Sequence, residues 1–425
     1  MNSSMKISFC SKGAIIGTKD RHRDSWGFYA SASQLNDRQE AEITDSFFLL
    51  NQILNVIVLS MTKVVLLHDW LTGFRGGERV LEAFCEMFPD APIYTLIHDK
   101  GSTSAIIESK KITSSFLNSI PGIGKHYRKF LPLFPMAAES IKILEDADLI
   151  LSSSHCVIKG VKKPFRAKHI SYVHSPMRYL YDQFDVYFGK DAPFYQRQGI
   201  KVFKNYLTRW DIDSNKNVDV MIGNSFFVAQ RIKQYYNINA SVIHPFVDLK
   251  DFRPLQSVET PKEDYYVMVT AFAPNKRVDL AIECFNKLGK KLHIIGGGQQ
   301  EKMLKEMAGP TITFFGNLTR DEVIDQFRKA KALIFPGVED FGITPLESLA
   351  SGTPVIAYKF GGVLETLNDE VAEFFTEQTP DALIKAIENF EWKNFDKSKL
   401  FARAEEFSKE TFKSRILDII ERTLS

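Results

Sequence analysis

The hydrophobic and polar positions of the chain follow a repeating order from residue 61 onward. Short apolar runs alternate with longer amphipathic stretches. Several runs are apolar at successive positions, as in strands of a parallel sheet that helices cover on both faces. This alternation predicts βαβ units and a doubly wound α/β sheet. The runs of the first half are KVVLLHD, APIYTLI, DLILSSS, HISYVHS, DVMIGNS and ASVIHP.

A polar stretch that contains proline, residues 246–264, divides the pattern into two similar halves. We interpret it as an interdomain linker between α/β domains at residues 61–245 and 265–399. Residues 400–425 have a helical pattern, and we expect this segment to pack across both domains. The apolar runs of the second half are YYVMVTAF, KKLHIIGG, TITFFGN, KALIFPG and TPVIAYK.

Residues 1–60 lack this periodicity, and we interpret them as an atypical extension, with Met61 as a candidate natural start. Their apolar run FFLLNQILNVIVLS, residues 47–60, is interrupted by Asn51, Gln52 and Asn55. It therefore falls short of the roughly 18 unbroken apolar residues that a membrane span needs. Acidic residues precede the run, where a signal peptide carries basic ones.

Composition narrows the class of protein further. The chain has 425 residues and a net charge of +2, from 54 basic and 52 acidic side chains. The chain therefore lacks the large excess of basic side chains that is typical of nucleic-acid-binding proteins. The four cysteines are far apart in sequence, so no zinc or CxxC pattern exists, and we expect reduced thiols in a cytoplasmic protein.

Candidate binding residues of the first half lie directly after the predicted strands, where open parallel sheets bind ligands. The loop HDWLTGFRGGERV contains Asp69, Gly76 and Gly77. It precedes a helix, so that free N–H groups and closely approaching backbone suit an anion or a sugar hydroxyl. The alternative is a tight strand-to-helix turn.

Two histidines also follow predicted strands of the first half. His155 comes after LILSSS and His174 after HISYV, and we expect both to meet in one cleft if the sheet has the usual order. Arg178 and Asp182 come next. They either bind an acceptor or form a pair at i, i+4 on a helix surface.

In the second half, Lys276 and Arg277 lie between a strand and a helix, where a diphosphate meets both their charge and a helix N-terminus. A solvated pair of basic residues is the alternative. Gly296–Gly298 permit close backbone approach but lack the GxGxxG spacing, which argues against a nicotinamide oxidoreductase. Gly361 and Gly362 predict a second phosphate-binding helix start.

The segment FPGVEDFGITPLESLASGTPVIAY places Glu339 in a loop after a strand and Glu347 in the first turns of a helix. Carboxylates accept hydrogen bonds from hydroxyls, and two of them along one loop can hold two hydroxyl-bearing rings. Backbone N–H groups around Gly342, Ile343 and Thr344 are available to a sugar or phosphate oxygen. This arrangement fits a nucleotide sugar.

The motifs together resemble glycosyltransferase family 4, the retaining GT-B class, over most of residues 61–425. The resemblance rests on the E-x7-E signature from Glu339 to Glu347 and on the segment FGITPLESLASGTPVIAY around it. The resemblance implies two Rossmann-like domains that face a central cleft. NKRVDLAIECFN, HDWLTGFRGGERVLEAF and YVHSPMRYLYD are similar to a subgroup linked to mannosyl or related transfer in cell-surface polysaccharide synthesis.

The resemblance also implies roles for individual residues. Glu339 would contact donor sugar hydroxyls, Glu347 the ribose, and Lys276 the diphosphate, with His174 near the reacting centre. Many members carry an arginine where this chain has Ala271, and Arg277 is a candidate to supply that charge. The family needs no metal and no cofactor. The strings DAD (146–148) and DID (211–213) follow no strand end and support no metal site either.

We therefore expect hexose transfer from a nucleoside diphosphate sugar in the second domain to a glycan or lipid-linked acceptor in the first. A GT-B nucleotide-sugar epimerase and a non-catalytic sugar-nucleotide-binding subunit are the alternatives. The donor base and sugar stay open. Residues 122–135, GIGKHYRKFLPLFP, mix basic and apolar side chains and are either a peripheral membrane contact or a solvated helix edge.

Overall fold

The structure, a computed structural model, describes residues 5–10, 13–19, 26–28, 62–144, 146–178, 180–181, 194–252, 257 and 259–425. The chain divides into two compact units, Met1–Thr62 and Lys63–Ser425. The first unit contains an antiparallel sheet of β1 (Met5–Cys10), β2 (Gly13–Lys19) and β3 (Trp26–Phe28) in that order. Residues 47–61, with the apolar run and the candidate start, lie outside the described residues, and so does Asp182.

The second unit begins with a parallel sheet of seven strands in the order β10-β9-β8-β7-β4-β5-β6. The first strand, β4, lies inside the sheet, and the order reverses beside it, as in a doubly wound fold. The strands are β4 (Val64–Leu71), β5 (Ile93–His98), β6 (Ile112–Ser114), β7 (Leu149–Ser154), β8 (Lys168–Val173), β9 (Val220–Gly223) and β10 (Ser241–Val242).

A second parallel sheet has six strands in the order β13-β12-β11-β14-β15-β16. Its order also reverses beside its first strand, β11, so that both sheets have a switch point at which ligands bind. The strands are β11 (Tyr266–Val269), β12 (Leu292–Ile295), β13 (Ile312–Gly316), β14 (Leu333–Phe335), β15 (Val355–Tyr358) and β16 (Ala372–Phe375).

Helices connect these strands, and their apolar faces cover the sheets. In the described part of the chain they are α1 (Gly76–Met87), α2 (Ala105–Glu108), α3 (Ile123–His126), α4 (Phe134–Ser140), α5 (Phe194–Ser214), α6 (Phe226–Tyr236), α7 (Val278–Leu288), α8 (Glu301–Met307), α9 (Arg320–Lys329), α10 (Ile343–Ala350), α11 (Val363–Thr366), α12 (Pro380–Glu391), α13 (Lys397–Glu405) and α14 (Lys409–Leu424). None of the described helices is both long and apolar enough to cross a membrane.

The C-terminal helices join the two sheets' domains. Helix α13 packs on α10, whereas α14 packs on α1 and β8. Phe412 of α14 stacks on Phe84 with ring centroids 6.0 Å apart and meets Tyr172 edge to face at 5.7 Å. The C-terminal segment therefore contributes to the hydrophobic core of the first domain.

The predicted fold class, two doubly wound parallel sheets in tandem, is confirmed. Every apolar run quoted from the two halves overlaps a strand of the structure, and amphipathic stretches between the runs form helices such as α1, α6, α7 and α9. The short strands β6 and β16 and the helices α5 and α12 were not predicted. Cys85, Cys156 and Cys284 are buried thiols.

Candidate active site

A cavity of about 500 Å³ lies at the carboxyl ends of both sheets and is lined by residues of both domains. Ten of the predicted site residues line it, whereas Asp69, Arg277, Glu347, Gly361 and Gly362 do not. The ten are Gly76, Gly77, His155, His174, Arg178, Lys276, Glu339, Gly342, Ile343 and Thr344. The sequence prediction that both halves converge on one cleft therefore agrees with the structure.

Lys276 and Glu339 form an ion pair in this cavity. Lys276 ends the turn Pro274–Lys276 after β11, and Glu339 follows β14, so neighbouring strands bring the two side chains together. Burial, with a smaller contribution from Arg178, lowers the pKa of Lys276 to about 7. The Asp340 carboxylate acts in the opposite direction and favours the charged ammonium, and so does any bound anion. An anion that binds here consequently stabilises the protonated form of Lys276.

The N-terminus of α10 points at the same cavity. Gly342 precedes the helix with φ of 99°, a left-handed conformation that favours glycine, and Ile343 and Thr344 form its first turn. The N–H groups at such a helix start have no partner within the helix, and the helix dipole adds positive potential. A Cβ on Gly76 would lie 3.2 Å from Cδ1 of Ile343, so glycine lets the two domains approach here.

His174 is held by a buried hydrogen-bond network beneath the cavity. Its Nε2 lies 2.8 Å from Oγ of Ser153, and the same oxygen lies 3.1 Å from Nδ1 of His68. Burial, together with the neighbouring His155 and His68, lowers the pKa of His174 well below its usual value. The rings of His155 and His174 are 6.2 Å apart, which confirms that the two predicted histidines meet.

Glu78 is a site residue that the sequence did not indicate. It lines the cavity in the first turn of α1, and its Oε2 accepts a hydrogen bond of 2.9 Å from the backbone N–H of Arg75. Burial opposes its ionisation, but His68 and the more distant His155 outweigh this and lower the pKa of Glu78 to about 2. Glu78 is therefore an anion at neutral pH.

The structure corrects the role predicted for Asp69. Its side chain is fully buried and accepts hydrogen bonds from four consecutive backbone N–H groups, those of residues 155–158, at 2.7 to 2.9 Å. No oxygen is left to bind an acceptor hydroxyl directly. Asp69 instead fixes the loop that carries His155 into the cavity.

Arg178 lines the cavity and also joins the two domains. Its guanidinium donates two hydrogen bonds to Oδ2 of Asp340, one of them 2.9 Å long from Nε. Arg231 of α6 donates to the other oxygen of Asp340 at 2.7 Å. The partner of Arg178 among the described residues is therefore a carboxylate of the second domain, and the predicted pair with Asp182 lies outside the described residues.

Arg277 does not supply the charge that Ala271 lacks. Its guanidinium binds Asp279 at 3.1 to 3.2 Å, away from the cavity lining. Ala271 does line the cavity, and the cations there are Arg75, Arg178 and Lys276. Arg178 is close enough to influence the pKa of Lys276, so the second positive charge near Lys276 comes from the first domain.

Glu347 lies in α10, one turn beyond the cavity lining. Its Oε1 accepts a hydrogen bond of 2.9 Å from Arg320, and Arg79 of α1 is 3.9 Å away. The side chain is 14% exposed. The arginines hold its carboxylate in place, and the predicted ribose contact stays a prediction.

The glycine clusters of the second domain pack against loops and do not line the cavity. A Cβ on Gly362 would clash with the backbone of Asp340 and Phe341, and one on Gly296 with the carbonyl oxygen of Thr270. The phosphate-binding role of Gly361 and Gly362 stays a prediction, and the observed contacts of these glycines are packing contacts. These contacts shape the loops that carry Ala271 and Glu339.

Two aromatic side chains of the first domain, Trp70 and Tyr127, complete the lining, and their rings lie 4.9 Å apart. Tyr127 belongs to the segment of mixed basic and apolar residues at 122–135, where Ile123 and Phe134 are also buried. Much of that segment's apolar surface is thus used in the core. The described residues contain no group of three or more His, Cys, Asp or Glu side chains arranged to hold a metal ion.

Solved structures with this architecture define the class of fold. A glycosyltransferase from Rickettsia africae superposes with a TM-score of 0.58 at 16% identity and covers 86% of this chain and 99% of its own. HepE from Anabaena, solved with UDP and glucose, gives a TM-score of 0.60 at 16% identity and covers 85% and 99%. The second unit of the chain has the GT-B fold.

Sequence comparison finds similarity to one family. The model for "Glycosyl transferases group 1" matches residues 250–410. The human alpha-1,3/1,6-mannosyltransferase ALG2 is 25% identical over 206 residues, which are 40% of this chain and 50% of that protein. The O-antigen chain mannosyltransferase RfbU of Salmonella typhimurium is 29% identical over 178 residues, 39% and 48% respectively. The chain thus spans about half the length of the curated relatives it matches.

Proposed function

We propose that the protein is a retaining glycosyltransferase that moves a hexose from a nucleoside diphosphate sugar to a hydroxyl of a glycan or lipid-linked acceptor. One observation carries the proposal. Lys276, Glu339 and the N-terminus of α10 face the same interdomain cavity, so a cation, a carboxylate and free backbone N–H groups surround one volume. A diphosphate joined to a sugar requires this combination.

The chemical difficulty in this transfer is the charge that develops on the diphosphate as its bond to the sugar breaks. Fixed positive groups aimed at the leaving oxygens lower that barrier. Lys276 and the start of α10 supply them, with Arg178 nearby. A diphosphate that binds Lys276 competes with Glu339 for it, and the released Glu339 carboxylate accepts hydrogen bonds from sugar hydroxyls.

The acceptor is expected on the first-domain side of the cavity. Trp70, Tyr127 and His155 line that side and offer apolar ring faces and a polar nitrogen, a lining suited to a sugar ring. The carboxylates of the lining, Glu78, Glu339 and Asp340, are each engaged by a hydrogen bond or an ion pair, so we favour substitution from the same face as the departing diphosphate. Closure of the two domains over the donor would exclude water and suppress hydrolysis.

The relatives support a finer proposal. Both named curated relatives are mannosyltransferases, and one of them makes O-antigen chains. We therefore propose mannose or a related hexose as the transferred sugar and a cell-surface polysaccharide as the product. We also propose a cytoplasmic location for the enzyme, with residues 122–135 as a candidate peripheral contact with the inner face of the membrane.

The first test identifies the base and then measures transfer. Thermal unfolding is measured with GDP, UDP and dTDP. One of these nucleotides should raise the Tm, because a ligand at 100 times its Kd stabilises a protein by about 2.7 kcal/mol. The matching nucleoside diphosphate hexoses are then incubated with lipid-linked and free glycan acceptors, and NMR of the product gives its anomeric configuration. Retention is the expected result.

Lys276→Ala is the decisive variant. Loss of one group that stabilises developing charge lowers kcat by about 100-fold or more. Lys287→Ala, which removes an exposed lysine from α7, is the control and should leave kcat unchanged. A loss below threefold in Lys276→Ala contradicts the assignment. Conversion of the donor without an acceptor would instead indicate an epimerase, and binding without turnover a non-catalytic subunit.

A further inference from the structure

A buried chain of polar side chains runs beneath the cavity from Glu78 to His174. Oε1 of Glu78 lies 3.7 Å from Nε2 of His68, Nδ1 of His68 lies 3.1 Å from Oγ of Ser153, and Oγ of Ser153 lies 2.8 Å from Nε2 of His174. His68 and Ser153 are fully buried. Water therefore cannot replace these partners, and each proton in the chain has few positions to occupy.

The charge of Glu78 determines which side chain donates each hydrogen bond in this series. Glu78 is ionised, so a lone pair of His68 pointing at it would be repelled, and the proton of His68 belongs on Nε2. The lone pair of His68 is then on Nδ1 and accepts the hydroxyl proton of Ser153. The carbonyl oxygen of Gly77, 3.4 Å from Oγ of Ser153, is a more distant acceptor for this proton than Nδ1 of His68 at 3.1 Å. With the hydroxyl proton on the shorter contact to His68, Oγ of Ser153 accepts from Nε2–H of His174.

We propose that Glu78, His68 and Ser153 are positioning residues that fix the tautomer of His174, with the proton on Nε2 and the lone pair of Nδ1 directed at the ligand. This inference rests on the proposed function only in naming that ligand, a hydroxyl of the bound sugar or acceptor. His174 then accepts a hydrogen bond from this hydroxyl and selects ligands that carry one at this point.

The surroundings of His174 are consistent with a single ring proton at neutral pH. His155 lies 6.2 Å away ring to ring, Tyr172 lies 5.2 Å away, and His68 and Glu78 complete the titratable neighbours in the described part of the chain. Burial lowers the pKa of His174, and two of these neighbours are histidines that oppose a further positive charge. A neutral ring has one N–H, so its tautomer decides what Nδ1 offers.

The adjacent residue of the same strand provides an internal reference. Ser152 Oγ lies 2.9 Å from Nε2 of His169, but Nδ1 of His169 lies 2.9 Å from the carbonyl oxygen of Asn217. A carbonyl only accepts, so His169 carries its proton on Nδ1. The pairs Ser153–His174 and Ser152–His169 should therefore contain opposite tautomers.

The test measures the tautomers directly on the full chain without any substrate. Long-range ¹H–¹⁵N NMR of protein labelled with ¹⁵N-histidine at pH 7 distinguishes protonated from unprotonated ring nitrogens, and His174→Gln and His169→Gln assign two of the nine histidines. We expect His174 protonated on Nε2 and His169 on Nδ1. A doubly protonated His68 would reverse the direction in which these side chains donate hydrogen bonds and would place the proton of His174 on Nδ1. That result overturns the proposal.

Variants then distinguish a role of Ser153 in positioning His174 from a purely structural role. Ser153→Ala should shift the His174 ring signals and lower kcat about two- to tenfold, the worth of one net hydrogen bond, with donor KM unchanged. Ser153→Thr keeps the hydroxyl and should restore both, whereas the control Ser152→Ala should shift only His169. Unmoved His174 signals in Ser153→Ala overturn the proposal. If the tautomers are as expected but no variant or wild type transfers sugar, the proposed function fails and the positioning chain stands.

Discussion

Replacement of Asp69 by Asn tests whether this buried carboxylate holds the loop that carries His155. Oδ2 accepts the N–H groups of residues 155 and 156, and Oδ1 those of residues 157 and 158. Asparagine keeps the shape but replaces one oxygen with an NH₂ group. Two backbone donors would then face a donor in a site that water does not reach.

The size of the effect follows from the number of bonds lost. A hydrogen bond to a charged group contributes about 1.5–3 kcal/mol, so two lost bonds lower the free energy of unfolding by about 3–6 kcal/mol. For a domain of this size, 1 kcal/mol corresponds to about 2–4 °C in Tm, which gives a fall of roughly 6–24 °C. Differential scanning calorimetry is the suitable measurement, because it resolves separate transitions when two domains unfold independently.

The matched control is Asp90→Asn, which makes the same change at an exposed position of the same domain and should leave the free energy of unfolding within about 0.5 kcal/mol of wild type. A fall of less than about 3 °C in Asp69→Asn would refute the reasoning, since it would mean that the four N–H groups find other acceptors or that the carboxylate does not bind them. A large fall in Tm supports the conclusion that Asp69, on a neighbouring strand, holds the loop that carries His155.

Two further predictions concern charge. Because burial lowers the pKa of Lys276 to about 7 and a diphosphate binds its protonated form, affinity for nucleoside diphosphates should fall by up to about tenfold per pH unit above pH 7 in calorimetry. Lys276→Arg, which stays charged, should remove this fall, and an equally steep fall in that variant would contradict the assignment. Arg231→Ala leaves Asp340 with one arginine fewer and should lower the free energy of unfolding by about 3–5 kcal/mol, measured by urea denaturation. Lys233→Ala on the exposed face of the same helix is the control, and equal effects of the two would argue against the interdomain pair.

The parts of the fold that were predicted are those encoded locally. Runs such as DLILSSS are apolar at successive positions, and only a doubly covered parallel strand favours that pattern. The predicted site residues that line the cavity share one property: they lie in the loops that follow such runs or at the start of the next helix. His155, Lys276 and Glu339 are examples, and chain position alone places them at the ligand-binding edge of a sheet.

The residues that were missed or misread depend on contacts distant in sequence. Asp69 also follows a strand core, but its partners are more than 80 residues away, and nothing local shows that backbone amides would occupy both oxygens. Ser153 lies inside a strand, where a serine usually means only a tolerated small side chain. The pairing of Arg178 with Asp340 spans 162 residues and exists only because the two domains face each other.

Strand β16 and helix α5 were missed for local reasons. β16, AEFF, is too short and too polar for a confident apolar run, and α5 has a weak division between apolar and polar faces. Tertiary contacts therefore determine both elements more than their own sequences do.

The return of α14 to the first domain has a consequence for how the protein folds during synthesis. Phe412 completes a cluster with Phe84 and Tyr172, although the second domain is translated between them. A nascent chain that has produced the whole first sheet still exposes the apolar surface that α14 covers. The ribosome must make the second domain before the first can close its core, and until then this surface is a natural binding place for a chaperone.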